Sequence, residues 1–373
     1  MRRRRVAVLG GDGVGPEVIA QAVRVARWLV EHEGLALDLV EAPYGQSAWR
    51  ETGEILPAAT LRAVHEADAV LFGAIGDYPG VSVEKRREGS ILRLRRELGL
   101  FANLRPVRHW PALAASCPLR EAVAAGTDIA IVRENTGGLY FGTPRGIVTL
   151  PDGRREAVNT LRYASDEIQR VARFAFELAR LRRTRVCSVD KSNVLEAGML
   201  WRETVEDVHR SHFADVELEH MLVDNCAMQL VRAPSRFDVI VTENLFGDIL
   251  SDGAGAVAGS LGMLPSAALG EPAADGRRRG VYEPVHGSAP DIAGRGVTNP
   301  LGAILSLALA LRYSLDAPAA ADRVERAVGH ALDEGARTAD IAAGGDRTLG
   351  TAAMGDAVLA ALSRQDERFT AAS

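Results

Sequence analysis

The most constraining feature of this chain is an alternation. Short strand-like runs at residues 6–9, 69–75, 129–132, 185–189, 216–223 and 237–241 are separated by longer stretches whose apolar residues recur every three or four positions. Short apolar runs bounded by Gly, Asp and Asn read as strands, and the intervening pattern, such as Val18, Ala22, Val25 and Leu29, reads as amphipathic helix. Strands and helices alternating along a chain predict an α/β fold. With 373 residues and 47% hydrophobic content, the chain is too long for one ordinary core, so two domains or one elaborate domain are expected.

The last of these runs leads into VTENLFGDILSDGAG, which places Asp248 and Asp252 four residues apart. On a helix that spacing puts both carboxylates on one face, where like charges repel by a few tenths of a kcal/mol. Between residues 237 and 276 there is no Lys, Arg or His, so the neutralising charge is expected from outside the chain. A divalent cation such as Mg²⁺ or Mn²⁺ suits hard carboxylate ligands. A bare D-x-x-x-D is more often a solvated acidic face, and the remainder of the chain decides between the two readings.

Bulk charge excludes several classes. A net charge of -5, from 44 basic and 49 acidic residues, provides no field that would draw nucleic acid or an anionic membrane. The basic cluster at residues 2–5 is followed by too few apolar residues for a signal peptide, and the apolar run 301–311 stops at Arg312, too short to span a bilayer. Cys117, Cys187 and Cys226 stand far apart with no C-x-x-C, which argues against a disulfide framework or zinc knuckle and predicts a reducing cytoplasm. His209 and His212 form an H-x-x-H with no third ligand in view and read as surface residues.

Several junctions present polar chemistry. GGDGVGPEV at residues 10–18 follows the first strand and starts a helix at Pro16, but neither Gly10 nor Gly11 begins a G-x-G-x-x-G, so no Rossmann fingerprint is present. Arg133 is delivered to the end of the strand at 129–132, and Arg95 and Arg105 lie in the adjoining Arg-rich segment, where guanidinium groups can grip carboxylates in bidentate fashion. Residues 143–159 read as a Gly- and Pro-punctuated arm, Ser165 as the cap of the next helix, and residues 190–193 as the opening of another, with Lys191 at the strand-to-helix junction. Residues 282–300, YEPVHGSAPDIAGRGVTNP, form a turn-rich loop with many free backbone amides.

Taken in order, GDGVGPEV, LFANLRP, VRENTGGLYFG, VDKSNVLEAGMLWR, VTENLFGDILSD and EPVHGSAPDIAG resemble the metal-dependent β-decarboxylating dehydrogenases, the isocitrate/isopropylmalate dehydrogenase family, over about residues 6–360. The resemblance implies an α/β fold of that family's own type, not a Rossmann fold, with two discontinuous domains around a large mixed sheet. A cofactor-binding domain would comprise 1–105 and 260–373. A substrate, metal and dimerisation domain would comprise 106–259, with an arm at about 143–160 used to form a homodimer with shared active sites. The substrate would meet Arg95, Arg105, Arg133 and Asp224, with Glu88, Ile91 and Leu92 lining its variable substituent. Mg²⁺ or Mn²⁺ would sit among Asp224, Asp248 and Asp252, with Lys191 and Asp224 reaching into the partner's site. Tyr140 and Lys191 would be the proton-transfer pair. NAD would be held by Glu283, His286, Gly287, Ser288, Ala289, Asp291, Ile292 and Asn299, with Asp291 on the adenosine ribose.

The residue types suit that chemistry. Oxidising a 2-hydroxy acid needs a base and a hydride acceptor, and loss of CO₂ from the β-keto acid leaves an enolate that a divalent cation stabilises and a phenol can protonate. The resemblance therefore implies NAD- and metal-dependent oxidative decarboxylation of 3-isopropylmalate to 4-methyl-2-oxopentanoate and CO₂, a step of leucine biosynthesis. The alternative is a related malate-type substrate: D-malate, tartrate, homoisocitrate or another 3-alkylmalate. Isocitrate enzymes carry Ser and Asn where this chain has Gly89 and Ile91, so an apolar wall favouring isopropyl is expected. Asn135 follows the wider family, while Gly137 and Gly138 follow the isopropylmalate branch; the loop 76–80 and an insertion at 271–280 depart from the usual pattern. A silent scaffold would have lost one of the polar site positions, and none is missing.

Overall fold

The computed structural model describes residues 3–76 and 78–370, with side chains described as far as residue 365. Asp77 in the loop 76–80 and Arg2 of the basic cluster lie outside the described residues. In chain order the strands are β1 (Arg4–Gly11), β2 (Leu37–Glu41), β3 (Ala69–Ala74), β4 (Ala102–Arg108), β5 (Asp128–Glu134), β6 (Gly146–Thr149), β7 (Arg155–Val158), β8 (Arg185–Asp190), β9 (Glu217–Leu222), β10 (Val239–Thr242), β11 (Pro265–Pro272) and β12 (Arg278–Pro284). Each run expected as a strand is one, shifted by a residue or two at its ends; β2, β4, β11 and β12 were not expected, nor were β6 and β7, which fall in the stretch read as an arm.

The chain divides into two compact units. Unit 1 is Met1–Leu100, His109–Glu121 and Gly255–Ser373; unit 2 is Phe101–Arg108 and Ala122–Ala254. The expected division cut at 105 and 260, whereas the observed one carries His109–Glu121 in unit 1.

In unit 1 the strand order is β2-β1-β3-β12-β11. β1 pairs in parallel with β2 and β3, β3 with β12, and β12 turns back antiparallel to β11, so the insertion at 271–280 is a hairpin end closed by Ala273 N–H to Arg277 O. Leu9, Val70, Phe72, Leu94, Ala268 and Val281 meet in one buried core, where each large side chain contributes about 1.5–3 kcal/mol of burial. Helix Leu301–Tyr313 is buried without interruption from Leu301 to Leu311, because a helix apolar on every face must be enclosed. It packs on β11, β12 and helix Gly15–Glu33.

In unit 2 the order is β4-β5-β10-β8-β9. β4 runs antiparallel to β5; β5, β10, β8 and β9 are parallel. Register matches Arg133 of β5 to Thr242 of β10 and Thr242 to Val189 of β8. Parallel strands in register bring their carboxyl ends to one edge, so Arg133 and Glu134, Asp190 and Lys191, and Glu243 and Asn244 emerge together, the edge at which open α/β sheets bind ligands. The expected arm is the ribbon of β6 and β7, exposed throughout, with Ile147 64% and Val148 55% accessible. An isolated two-stranded ribbon is marginal on its own.

Two expected helix starts move. Helix Ser165–Arg180 is capped by Ala164, whose N–H is taken by Glu167 Oε2 at 2.8 Å, so Ser165 is already helical. The helix expected from residue 190 begins at Glu196. Asp190 Oδ1 accepts Ser192 N–H at 2.9 Å, an Asx turn that competes with helix formation.

Candidate active site

The site in unit 2 starts from four buried β-branched or polar residues of β10, after which the chain turns into helix Asn244–Ala254. Glu243 closes the turn: its carboxylate accepts Phe246 N–H at 2.8 Å, satisfying an orphan helix donor, although burial raises its pKa. Gly247 is required by packing, because a Cβ there would stand 2.6 Å from Cβ and Cγ of Arg133. The helix thereby rides on the arginine's aliphatic stem.

Asp248 and Asp252 do share one face, but the structure corrects the expectation that their neutralising charge comes only from outside. Arg133 Nη1 lies 2.5 Å from Asp248 Oδ1, Arg105 Nη2 3.3 Å from the same oxygen, and Arg105 Nη1 3.0 Å from Asp252 Oδ1. These cations come from β5 and β4, more than a hundred residues away in sequence, beyond the reach of local charge counting. Arg105 is further held by Asn103 Oδ1 at 2.9 Å and Ser251 Oγ at 2.7 Å. Tyr140 donates its hydroxyl to Asp248 Oδ2 at 2.8 Å, and its ring centre lies 5.6 Å from the Arg133 guanidinium carbon. Burial, then the bond to Asp248, pushes the Tyr140 phenol up to about 12. Burial also raises the carboxyl of Asp252 against the opposing pull of Arg105.

Lys191 and Asp224 form a separate pair at 2.5 Å, joining the end of β8 to the first turn of helix Val223–Arg232, and that bond lowers the pKa of Asp224. Asp190 below them is gripped by Arg202 at 3.0 and 3.2 Å. Among the described residues no three His, Cys, Asp or Glu side chains gather as a metal site. Within one chain, then, Asp224 does not join Asp248 and Asp252, because its strand-to-helix junction holds it against Lys191 instead.

In unit 1, Arg95 and Glu283, expected to serve substrate and cofactor, meet at 2.5 Å with both largely buried. Glu88 is exposed, and its carbonyl accepts Arg93 Nη1 at 2.9 Å. Ile91 packs against the unit 1 core, whereas Leu92 is half-buried without belonging to that cluster. Gly89 is fixed by packing: a Cβ would lie 2.3 Å from Ile55 Cβ, and its carbonyl accepts the Tyr44 hydroxyl at 2.7 Å. Of the expected wall, Leu92 is the side chain left outside the core.

The loop expected to hold the cofactor is an ordered set of turns in the same unit. Ser288 O accepts Val14 N–H at 2.9 Å, and the N–H groups of Gly294 and Gly296 donate to the Glu17 carboxylate at 2.5 and 3.0 Å. Ala289 has a positive φ of 38°, Ile292 N–H reaches back to its carbonyl at 3.2 Å, and Asp291 is exposed. Asn299 caps helix Leu301–Tyr313 through Leu301 N–H at 3.0 Å. His286 Nδ1 lies 2.9 Å from Gly287 O; since a carbonyl only accepts, Nδ1 carries the proton and Nε2 presents a lone pair. That Nε2 is buried with no hydrogen-bond partner among the described residues, burial keeps the ring neutral by lowering its pKa, and open space surrounds Gly287. An orphaned acceptor beside open space fits a ligand's hydroxyl or amino group. Glu17 and Asn244 were not anticipated; Glu17 is visible in sequence only as a first-turn acid, and Asn244 only as the residue after a strand.

A family model described as isocitrate/isopropylmalate dehydrogenase matches residues 5–358. The chain belongs to the isocitrate/isopropylmalate dehydrogenase family. Among its relatives, 3-isopropylmalate dehydrogenase 1 of Bordetella bronchiseptica is 59% identical over 364 residues, covering 96% of this chain and 98% of the relative. 3-Isopropylmalate dehydrogenase 1 of Bradyrhizobium diazoefficiens is 56% identical over 361 residues, covering 96% and 95%. The crystal structure of isocitrate dehydrogenase from Methylococcus capsulatus superposes with a TM-score of 0.85 at 32% identity, covering 96% of this chain and 99% of that one. The family, of NAD(P)- and divalent-metal-dependent dehydrogenases acting on small molecules, and the α/β class are thus as the sequence implied.

Proposed function

We propose that this chain is a 3-isopropylmalate dehydrogenase, converting 3-isopropylmalate and NAD to 4-methyl-2-oxopentanoate, CO₂ and NADH in leucine biosynthesis in the cytoplasm. The observation that carries the reading is the convergence of Arg105, Arg133 and Tyr140 on Asp248, one helical turn from Asp252, in a chain 59% identical to a protein of that name. Two guanidinium groups 8% and 2% exposed fit a substrate dicarboxylate, which would exchange with the carboxylates they now hold.

The donor set fits a hard divalent cation. Asp248 and Asp252 are partly open, at 33% and 53% side-chain exposure, and an Asp224 from the partner subunit of a homodimer would complete the carboxylates. Among the described residues Asp224 is held by Lys191 and does not gather with Asp248 and Asp252, which supports such sharing, and the exposed ribbon of β6 and β7 is suited to binding a second copy. When bound, the cation stabilises negative charge on the substrate oxygen and NAD accepts the hydride.

The protein's own groups do the rest. Arg95, Arg105 and Arg133 orient the carboxylates; Leu92 contributes apolar surface toward the isopropyl group. Lys191 takes the hydroxyl proton, as a neutral amine released from Asp224, or orients the base that does, as the C–H hydride leaves. After the C–C bond to CO₂ breaks, Tyr140, kept neutral by its high pKa, gives its proton to the carbon. His286, with Gly287, Ser288, Ala289, Ile292, Asn299 and Glu283, shapes the NAD site. Asp291 accepts the ribose 2′-hydroxyl and repels a 2′-phosphate, so NAD is favoured over NADP. Exhaustive chelation should abolish NADH formation from 3-isopropylmalate, and added Mg²⁺ or Mn²⁺ should restore it together with stoichiometric CO₂. Full turnover after chelation would refute the metal role.

A further inference from the structure

Asn244 is the first residue of the helix that carries Asp248 and Asp252, and it is 1% exposed. Its Oδ1 accepts two hydrogen bonds from one guanidinium edge, Arg133 Nε at 3.0 Å and Nη2 at 2.8 Å. Its Nδ2 donates to Gly137 O at 3.0 Å, and its backbone N–H donates to the Tyr163 hydroxyl at 2.9 Å. A guanidinium has only donors and a carbonyl only accepts, so the amide is oriented by chemistry alone: the flipped form would set donor against donor and acceptor against acceptor. Gly137 opens the short turn Gly138–Tyr140, and its own N–H is held by Glu134 Oε2 at 2.7 Å. One neutral amide therefore spans the substrate-binding arginine and the turn that presents the proton-donating tyrosine.

We propose that Asn244 is a positioning residue that sets Arg133 and Tyr140 in register with the acidic helix while leaving the arginine's charge intact for the substrate. This rests on the reading of Arg133 as a substrate ligand and Tyr140 as the acid. The bidentate acceptor takes up the Nε–Nη2 edge and aims Nη1 at the Asp248 side. A carboxylate at this position would grip the same edge but cancel the charge, and its second oxygen would face the Gly137 carbonyl. An amide is the side chain that meets both demands.

The test compares Asn244→Asp, which is isosteric, with Asn244→Ala, each as the full chain with Mg²⁺ and NAD. Asn244→Asp should raise KM for 3-isopropylmalate at least tenfold while KM for NAD stays within about twofold, because only the arginine's charge and the tyrosine's turn are disturbed. Asn244→Ala should lower kcat at least tenfold and slow protonation of the decarboxylated enolate more than hydroxyl oxidation, the same pattern expected of Tyr140→Phe. The double variant Asn244→Ala with Tyr140→Phe should lose less than the product of the two single losses. Should Asn244→Ala not fold, the isosteric variant alone decides through its KM split. Variants that fold and keep kcat/KM within twofold, or that raise both KM values equally, would overturn the proposal. Arg133→Gln and Tyr140→Phe serve as controls: if these keep full activity the underlying reading fails, whereas if they lose it and the Asn244 variants do not, the positioning role fails.

Discussion

Asp248→Asn and Asp252→Asn make the same change one helical turn apart, yet they should differ in stability. Asp248 is one-third exposed and faces two guanidinium groups that are 8% and 2% exposed, so its charge compensates cations taken out of water. Removing one partner of a fully buried pair costs about 3–5 kcal/mol, against about 0–1 kcal/mol for an exposed one. Arg105 retains Asp252, Asn103 and Ser251, Arg133 retains Asn244, and the new amide keeps one acceptor. Scaling for that exposure gives a loss of about 1–3 kcal/mol for Asp248→Asn. Asp252 is 53% exposed and, among the described residues, forms its ion pair with Arg105, while burial works against its charge, so Asp252→Asn should change stability by less than about 1 kcal/mol. The pH sign follows from the raised carboxyl. Its burial penalty is present above the folded pKa and is relieved as pH falls through it, so wild type should gain on Asp252→Asn as acid is added. Chemical denaturation with a chelator present measures the stabilities, and turnover with Mg²⁺ measures function. Both variants should lose most activity; equal stability of the two, or an Asp252→Asn protein less stable than Asp248→Asn, would refute the charge assignment.

Tyr140→Phe should slow protonation more than hydroxyl oxidation, so the decarboxylated enolate accumulates ahead of the final product, and equal loss of both partial reactions would argue against the assignment. Because the phenol lies near 12 rather than 10.0, an alkaline limb below about pH 10 should survive in Tyr140→Phe; its stability term is zero below the unfolded value and becomes unfavourable above it, where the unfolded chain loses the proton first. Gly89→Ser should destabilise unit 1 by about 1–3 kcal/mol through overpacking against Ile55, with 3-isopropylmalate preference unchanged in whatever folds; a clean switch toward isocitrate would contradict the packing role.

The sequence makes much of this visible where a local rule suffices. The runs that became β1, β3, β5, β8, β9 and β10 are rich in apolar or β-branched residues, and Asp248 and Asp252 fall on one helical face as their spacing requires. β4 was missed because ANLRPVR contains a proline and two arginines, and β11 because PSAALGEP is built of small residues with little strand preference. Their pairing with β5 and β12 supplies what local propensity lacks. Arg105 and Arg133 were anticipated as carboxylate ligands, but not as the counter-charges of the acidic helix, since that pairing depends on strand order. The amide of Asn244 and the carboxylate of Glu17 act through contacts that no spacing rule encodes. Ile91 reads as a pocket wall from its neighbours in sequence and lies on the core in space.

The most direct test of the central claim is a ranking of kcat/KM, read as NADH formation with Mg²⁺ or Mn²⁺, for 3-isopropylmalate, D-malate, tartrate and isocitrate. The proposed specificity predicts 3-isopropylmalate first by about ten- to two-hundred-fold over D-malate, the worth of burying its isopropyl group, with isocitrate last because its third carboxylate would lose its water without a partner. Isocitrate or tartrate at the head of the ranking would contradict the proposed substrate while leaving the family and the chemistry of Asp248 and Tyr140 in place.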